Sequence, residues 1–271
     1  MTEERRPPFR RIVVALGASG QGRVVLETST SLAASLGAEL LAIFVEDVNL
    51  LRMAALPFTR VVGSGPLSSE VTMTMVERSL RQAAAEARAS LEISAGRQRL
   101  QWSFRVVRGV PARELSAAAE AEDLLILEQR DVGEGLAGAV DEIRASMLCL
   151  RTERPPRPTV VAFHEPGETG RRHLQAAARF ALATARQLTV LVPAGGEAEA
   201  AEQEATVAVA ALGMRPRFRR VTRGDRRLRE IACSEPGAVL VLPHQGLPGW
   251  ADRDSVRAII RDPRCSVLVL R

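Results

Sequence analysis

The segment Ser146-Met147-Leu148-Cys149-Leu150-Arg151 recurs as Ser266-Val267-Leu268-Val269-Leu270-Arg271. Each is a short apolar run that opens on serine and closes on arginine. Two more segments recur in the same order, residues 11–15 as 159–163 and residues 104–109 as 218–224. Three landmarks repeated in one order predict two copies of a single fold within the chain.

The length of the chain suits this duplication. Its 271 residues fit two domains of about 100 to 150 residues each. Between the copies, the run Arg154-Pro155-Pro156-Arg157-Pro158 disfavours helix and strand alike, because proline lacks an amide hydrogen. We predict a first domain over residues 1–152, a linker over 153–158 and a second, more compact domain over 159–271.

Composition excludes several classes of function. The net charge is +5, and every basic side chain other than histidine is arginine, which excludes a P-loop lysine and Schiff-base chemistry. With no tyrosine, two tryptophans and seven phenylalanines, few rings can stack on bases, so we expect no nucleic-acid partner.

No apolar stretch reaches the roughly 20 residues of a membrane helix, and the charged segment 1–10 is unlike a signal peptide. We expect a cytoplasmic protein without a membrane partner.

The cysteines give no sign of a metal site. Cys149, Cys233 and Cys265 are far apart in the sequence and lack metal-ligand spacing. We interpret them as small buried hydrophobic residues. The alternative is a redox or zinc-binding role.

Each half alternates short β-branched runs with longer segments of helical periodicity, which is the pattern of a parallel α/β sheet. The strands predicted in the first half cover residues 11–16, 39–45, 102–107, 124–127 and 146–150. Those predicted in the second half cover residues 159–163, 188–192, 217–222, 238–242 and 265–270. Helices are predicted over residues 25–36, 76–91, 112–121, 134–145 and 174–185.

One apolar segment, residues 46–70, makes the first half longer than the second. Its apolar side chains are Leu50, Leu51, Met53, Leu56, Pro57 and Phe58. A loop of this length in a compact domain usually has a function of its own. Either the segment covers the core or the ligand mouth of its own domain, or the loop 46–66 is a surface for a protein partner or a second chain.

Several motifs carry a family resemblance. Arg-Gly follows the third strand at Gly109 and again at Gly224, and Asp123 stands before the fourth strand. The last helix of each copy begins with Ala139-Val140 or Ser255-Val256. With five strands in each copy, this arrangement resembles the universal stress protein family, in tandem form. The resemblance implies two doubly wound five-stranded parallel sheets of order 3-2-1-4-5, an adenine nucleotide alpha hydrolase-like fold, and a homodimer formed through the fifth strand.

The first copy departs from the ATP-binding motif that the resemblance implies, an aspartate after strand one and G-2x-G-9x-G-[ST] after strand four. Gly17 stands at the aspartate position, and Glu128-Gln129-Arg130-Asp131 follows strand four, where carboxylates repel phosphates. The segment 133–139 then contains a lone GxGxxG pattern, which by itself is weak evidence. Either it binds phosphate or it is a flexible connection. The candidate ATP-binding residues are Gly17, Ser19, Gly20, Gly133, Gly135 and Gly138.

The second copy departs further from the motif. We place His164 at the aspartate position, and Pro243 replaces the first glycine after strand four and removes an N–H donor. Asp254 replaces the third glycine and is expected to cap the last helix. A capping side chain occupies donors that a phosphate needs, so these departures predict weak or absent ATP binding.

Two histidines of the second copy form a further candidate site. If strands one and four are neighbours, then His164 and His244 end adjacent strands, and Glu165 lies beside them. Such a pair can hold a metal ion, bind an anion or respond to pH. The alternative is that both imidazoles are solvated in strand-end loops.

Catalytic signatures are missing from the sequence. It contains no nucleophile elbow and no HExxH motif, so we do not expect the protein to be an enzyme. Two hypotheses remain open. The chain is a non-catalytic stress-response protein that acts through dimerisation or a protein partner, or it is an ATP- or AMP-binding protein that uses the glycine-rich loops of the first copy.

Overall fold

A computed structural model describes residues 9–17, 22–56, 72–128, 142–151, 159–222, 230, 238–246, 252–261 and 265–271. The strands are β1 Arg11–Leu16, β2 Glu39–Asp47, β3 Trp102–Gly109, β4 Asp123–Glu128, β5 Ser146–Leu150, β6 Thr159–Phe163, β7 Gln187–Pro193, β8 Arg217–Val221, β9 Val239–Pro243 and β10 Ser266–Leu270. The helices are α1 Gly22–Leu36, α2 Val48–Ala54, α3 Met73–Gln98, α4 Pro111–Ala118, α5 Glu168–Ala183, α6 Ala198–Ala210 and α7 Arg253–Arg261.

All ten strands belong to one sheet, in the order β3-β2-β1-β4-β5-β10-β9-β6-β7-β8. Each half has the predicted order 3-2-1-4-5, and its strands are parallel. The two predicted five-stranded parallel halves are thus confirmed, and β5 and β10 pair antiparallel and join them into one continuous sheet. The linker 153–158 lies outside the described residues, so the domain boundaries there remain predictions.

The junction between β5 and β10 has approximate two-fold symmetry. Its central pair is Leu148 with Leu268, which are equivalent residues of the two repeated segments. The amide of Arg151 donates to the hydroxyl of Ser266 at 3.1 Å, and the amide of Arg271 donates to that of Ser146 at 3.3 Å. The serine and arginine that bound each repeated segment thus satisfy each other across the junction.

Helices cover both faces of the sheet. One apolar cluster, which we call the first face, packs α1, α3, α5 and α6 against alternate strand residues. The other cluster, the second face, includes Leu115 of α4 and Val256 of α7. Within the described residues, no helix is long and apolar enough to cross a membrane.

An ion pair fastens the amino ends of β1 and β4. The buried carboxylate of Asp123 accepts from Nε of Arg11 at 3.2 Å and from Nη2 of the same side chain at 2.6 Å, and it also accepts from the amide of Glu120 at 2.8 Å. Asp123 therefore has a structural role at the end of the strands that is remote from the predicted ligand crevice.

Two predicted elements are corrected. Residues 46 and 47 extend β2, and residues 48–54 form α2 rather than a loop. The signal that we missed is Asp47, whose carboxylate accepts from the amide of Asn49 at 2.8 Å and caps this helix. Residues 142–145 are not helical, and the remainder of the predicted helix 134–145 lies outside the described residues.

Equivalent helices of the two copies end in the same turn. After α1, Gly37 has φ 63°, and the amide of Ala38 donates to the carbonyl of Ala33 at 3.0 Å. After α5, Ala185 has φ 50°, and the amide of Arg186 donates to the carbonyl of Ala181 at 2.8 Å. This left-handed conformation suits glycine and strains alanine.

We expect Ala185→Gly to raise the free energy of unfolding by about 0.5 kcal/mol, because relief of the strain exceeds the entropy that glycine adds to the unfolded chain. Gly37→Ala should lower it by about the same amount, since a Cβ at Gly37 meets no atom within 4 Å and only the backbone angle is unfavourable. Urea denaturation measures both changes. Ala176→Gly, in the middle of α5, is the control and should be destabilising; a loss of stability in Ala185→Gly would contradict the strain argument.

Candidate functional site

Ligands of doubly wound sheets bind at the carboxyl ends of the strands, beside the point where the strand order reverses. In the first copy this crevice lies between β1 and β4, and in the second between β6 and β9. Because β5 and β10 are antiparallel, the two crevices face opposite ends of the sheet.

In the first crevice, few of the predicted ATP-binding residues can be assessed. Gly17 is exposed directly after β1. Ser19, Gly20, Gly133, Gly135 and Gly138 lie outside the described residues, so their role remains a prediction.

Carboxylates are prominent at the described strand ends of the first crevice. Glu46 of β2 and Glu128 of β4 are both buried. Glu46 accepts from Nε of Arg108 at 2.9 Å, and Nη1 of Arg108 lies 3.4 Å from Oε1 of Glu77 on α3. Arg108 is therefore engaged by two carboxylates, and this ion-pair network ties the ends of β2 and β3 to α3.

Strand pairing shows which residues of the two copies are equivalent. Ile12 pairs with Leu124 of β4, which in turn pairs with Ser146. Val160 pairs with Val239, which in turn pairs with Ser266. Because Ser146 and Ser266 are equivalent at the junction, Ile12 and Val160 are equivalent as well.

Extending the equivalence of Ile12 and Val160 to the ends of β1 and β6 corrects the motif-based alignment, which placed His164 opposite Gly17. His164 is equivalent to Leu16, and Glu165 is equivalent to Gly17. His164 thus occupies a position that is apolar core in the first copy, where Leu16 is buried. The acidic Glu165 stands where the motif of the first copy has Gly17.

The imidazole of His164 is fully buried on the first face, and neither ring nitrogen has a hydrogen-bond partner. Its Nε2 lies 3.7 Å from Oε2 of Glu204 on α6, which is too long for a hydrogen bond. Burial lowers the pKa of His164 below its usual value, and the nearby carboxylates of Glu204 and Glu165 oppose this effect. The neutral imidazole is therefore the favoured form in the folded chain.

The turn between β6 and α5 is tightly closed. The amide of Gly167, the N-cap residue of α5, donates to Oε1 of Glu204 at 3.1 Å. Gly167 has φ 104°, a backbone conformation that favours glycine. At Gly170 a Cβ would lie 1.8 Å from the carbonyl oxygen of Glu165, so the first turn of α5 packs directly on the loop.

His244 does end the strand next to that of His164, but the two imidazoles have different surroundings. The amide of His164 donates to Leu191 of β7, and that of His244 donates to Leu270 of β10. Burial lowers the pKa of His244, and the positive charges of Arg271 and Arg253 lower it further. Arg253 begins a helix of the second face, whereas Glu204 belongs to the first face.

In the part of the chain that the structure describes, no three His, Cys, Asp or Glu side chains group to hold a metal ion.

The cap of the last helix differs from the prediction. Asp252, not Asp254, accepts from the amide of Ser255 at 2.8 Å. Asp254 lies in the first turn of α7 and pairs with Arg257 at 2.9 Å. A carboxylate still occupies a donor at this helix terminus, two residues earlier than expected.

Two of the cysteines are buried from solvent. Cys149 and Cys265 are thiols that are buried in the second face. Burial raises the pKa of Cys149 to about 12, so its reactive thiolate form is scarce. Cys233 lies outside the described residues.

Glu204 is the crevice residue that the sequence did not reveal. It lies within an Ala- and Glu-rich helix that offers no motif, and only the fold brings it to His164 and Gly167. Its carboxylate holds the turn closed, and the second crevice therefore has acids at its β6 side and Arg253 and Arg271 towards its β9 side.

We expect His164→Leu, which installs the residue of the first copy, to raise the free energy of unfolding at pH 7.5 by about 1 to 2 kcal/mol, because it removes an unsatisfied buried polar group. The reciprocal Leu16→His should lower it by about 2 kcal/mol. Urea denaturation tests both variants. A His164→Leu variant less stable than the wild type would mean that the imidazole makes favourable contacts.

Comparisons with known proteins concern the fold. No protein-family model and no curated protein matches the sequence. Solved structures do match. A universal stress protein from Archaeoglobus fulgidus DSM 4304 is 11% identical with a TM-score of 0.60, over 96% of this chain and 98% of that one.

Two structures from Pseudomonas aeruginosa also match, each at 14% identity. The putative universal stress protein of strain UCBPP-PA14 has a TM-score of 0.59 and covers 97% of this chain and 93% of its own. A functionally unknown protein of strain PAO1 has a TM-score of 0.56 and covers 99% and 94%. Over nearly its whole length, the chain thus has the fold of universal stress proteins.

Proposed function

We propose that the chain is a non-catalytic stress-response or regulatory protein that binds ATP weakly or not at all and acts through protein association. The observation that carries the proposal is the bond between the Gly167 amide and Glu204. A backbone N–H at a helix N-terminus is a natural phosphate donor. In the second crevice a carboxylate already accepts from this donor, and its charge repels a polyphosphate.

The first crevice supports the same proposal less directly. Buried Glu46 and Glu128 place acidic groups at the carboxyl ends of β2 and β4. The alternative, an ATP- or AMP-binding protein, relies on the glycine-rich segments after β1 and β4. Among the described residues of the second crevice, Arg253 and Arg271 favour an anion.

Isothermal titration of the full chain with ATP and magnesium tests the first part of the proposal. We expect no saturable binding at micromolar nucleotide, and no nucleotide released from gently denatured purified protein in mass spectrometry. Tight binding would overturn this part. Arg253→Ser would then locate the ATP, since it weakens binding in the second crevice and leaves the first unchanged.

Association needs a surface other than the fifth strands, because β5 and β10 already pair with each other. Five exposed apolar side chains lie on α2, at its end and at the start of α3, and we call them the α2/α3 patch: Leu50, Met53, Leu56, Met73 and Met75. Part of the loop 46–66 therefore belongs to this patch, while residues 57–66 lie outside the described residues. The side chain of Leu51, by contrast, is buried in the core.

We propose a second copy of this chain as the occupant of the α2/α3 patch. An apolar surface related by a two-fold axis can pack on itself without complementary charges. Methionine side chains adapt to such contacts because they are unbranched and flexible.

Light scattering during size-exclusion chromatography should give twice the monomer mass for the wild type. Leu50→Glu combined with Met75→Glu should give the monomer, because the charges would be buried in the contact. The control combines Leu182→Glu of α5 with Val207→Glu of α6, two exposed apolar positions outside the α2/α3 patch, and should remain dimeric. A wild type that is monomeric at high concentration would overturn self-association.

A further inference from the structure

The imidazole of His164 is a fully buried polar group without a hydrogen-bond partner. A neutral imidazole carries one N–H donor and one acceptor, and here both ring nitrogens are buried without a hydrogen bond. Buried polar groups normally have partners, so each exception calls for an explanation. In the first copy the equivalent residue is Leu16, whose side chain has no polar atom.

Glu204 links this imidazole to the turn that follows it. One carboxylate oxygen accepts from the amide of Gly167 at 3.1 Å, and the other lies 3.7 Å from Nε2 of His164. The side chain of Glu204 is 40% exposed, so it stands between water and the buried ring. Among the described charged groups, Glu204 of α6 and Glu165 of the turn act on the imidazole.

We propose that His164 and Glu204 form a proton-operated latch on the turn 164–167, closed against α6 while the imidazole is neutral and opened when it takes up a proton. In the closed state the ring fills a core position and the Gly167 amide is bonded to Glu204. In the open state the imidazolium leaves the first face for water, and the turn separates from α6. Opening widens the second crevice at the end of β6.

Two effects compete when the imidazole is protonated in place. Burial disfavours the charge, and attraction to Glu204 and Glu165 favours it. Burial is the larger effect, so the pKa of His164 in the closed turn lies below its usual value. An imidazole exposed by opening keeps a pKa near 6.5. The closed turn is therefore fully stable above about pH 6.5 and loses stability as the pH falls below it, since the open form binds more protons.

Amide hydrogen exchange measured by NMR tests the latch. The protection factor of the Gly167 amide should fall by up to about tenfold per pH unit below pH 6.5, as expected for an opening that takes up one proton. The amide of Ser266, bonded to Ala238 in the same copy at 3.1 Å, reports on opening of the sheet. It should keep its protection, which separates a local opening from global unfolding.

Matched variants assign the effect to the two residues. In His164→Leu the protection of Gly167 should be independent of pH between 7.5 and 5.5. Glu204→Gln keeps an acceptor for the Gly167 amide but removes the charge that favours the imidazolium, so protection should fall further with acid than in the wild type. His173 of α5 and His244 also have lowered pKa values because of burial, and a His173→Asn/His244→Asn double variant should keep the wild-type response.

Three results would overturn the latch. One is a His164 ring resonance that titrates at or above pH 6.5 while Gly167 stays protected, because the imidazolium would then be held in place. Another is the same pH response in His164→Leu as in the wild type. The third is a wild-type pH dependence of Gly167 protection in Glu204→Gln, which would mean that Glu204 does not contribute to the latch.

Discussion

The antiparallel pairing of β5 with β10 is the contact on which the architecture depends. A five-stranded half has two edges, and each unpaired edge exposes backbone donors and acceptors to association with other chains. The junction pairs one edge of each half with the other, around Leu148 and Leu268. The outer edges of the described sheet are β3 and β8, and both carry arginines, Arg105 and Arg108 in one and Arg217 and Arg219 in the other. Charge on an edge strand discourages further pairing.

The sequence predicted the elements better than their assembly. The bounds of β1, β5 and β6 agree with the prediction, because short apolar runs bounded by polar residues leave little ambiguity. The continuous sheet was not predicted, since hydrophobic periodicity reports which face of a strand is buried and not which strand lies beside it. α2 was missed because seven residues with apolar side chains on several sides resemble a loop that covers a core.

The candidate sites show the same limit. Alignment by motif put His164 opposite Gly17, whereas the repeat of residues 11–15 as 159–163 and the pairing registers both place His164 opposite Leu16. Glu204 was invisible to the sequence, because its contacts with His164 and Gly167 join segments that are far apart along the chain. The asymmetry between the crevices therefore depends on long-range packing as well as on local differences such as Pro243 in the second copy.

Because both halves belong to one chain, a substitution can change one crevice and leave the other as it was. In a dimer of identical subunits, every substitution appears twice, so a change that helps one site is imposed on the other. Here the ion pair of Arg11 with Asp123 has Thr159 and Ala238 at the equivalent positions, and Leu16 has His164. Fusion across the β5–β10 junction has thus freed each half to specialise while the shared sheet keeps them together.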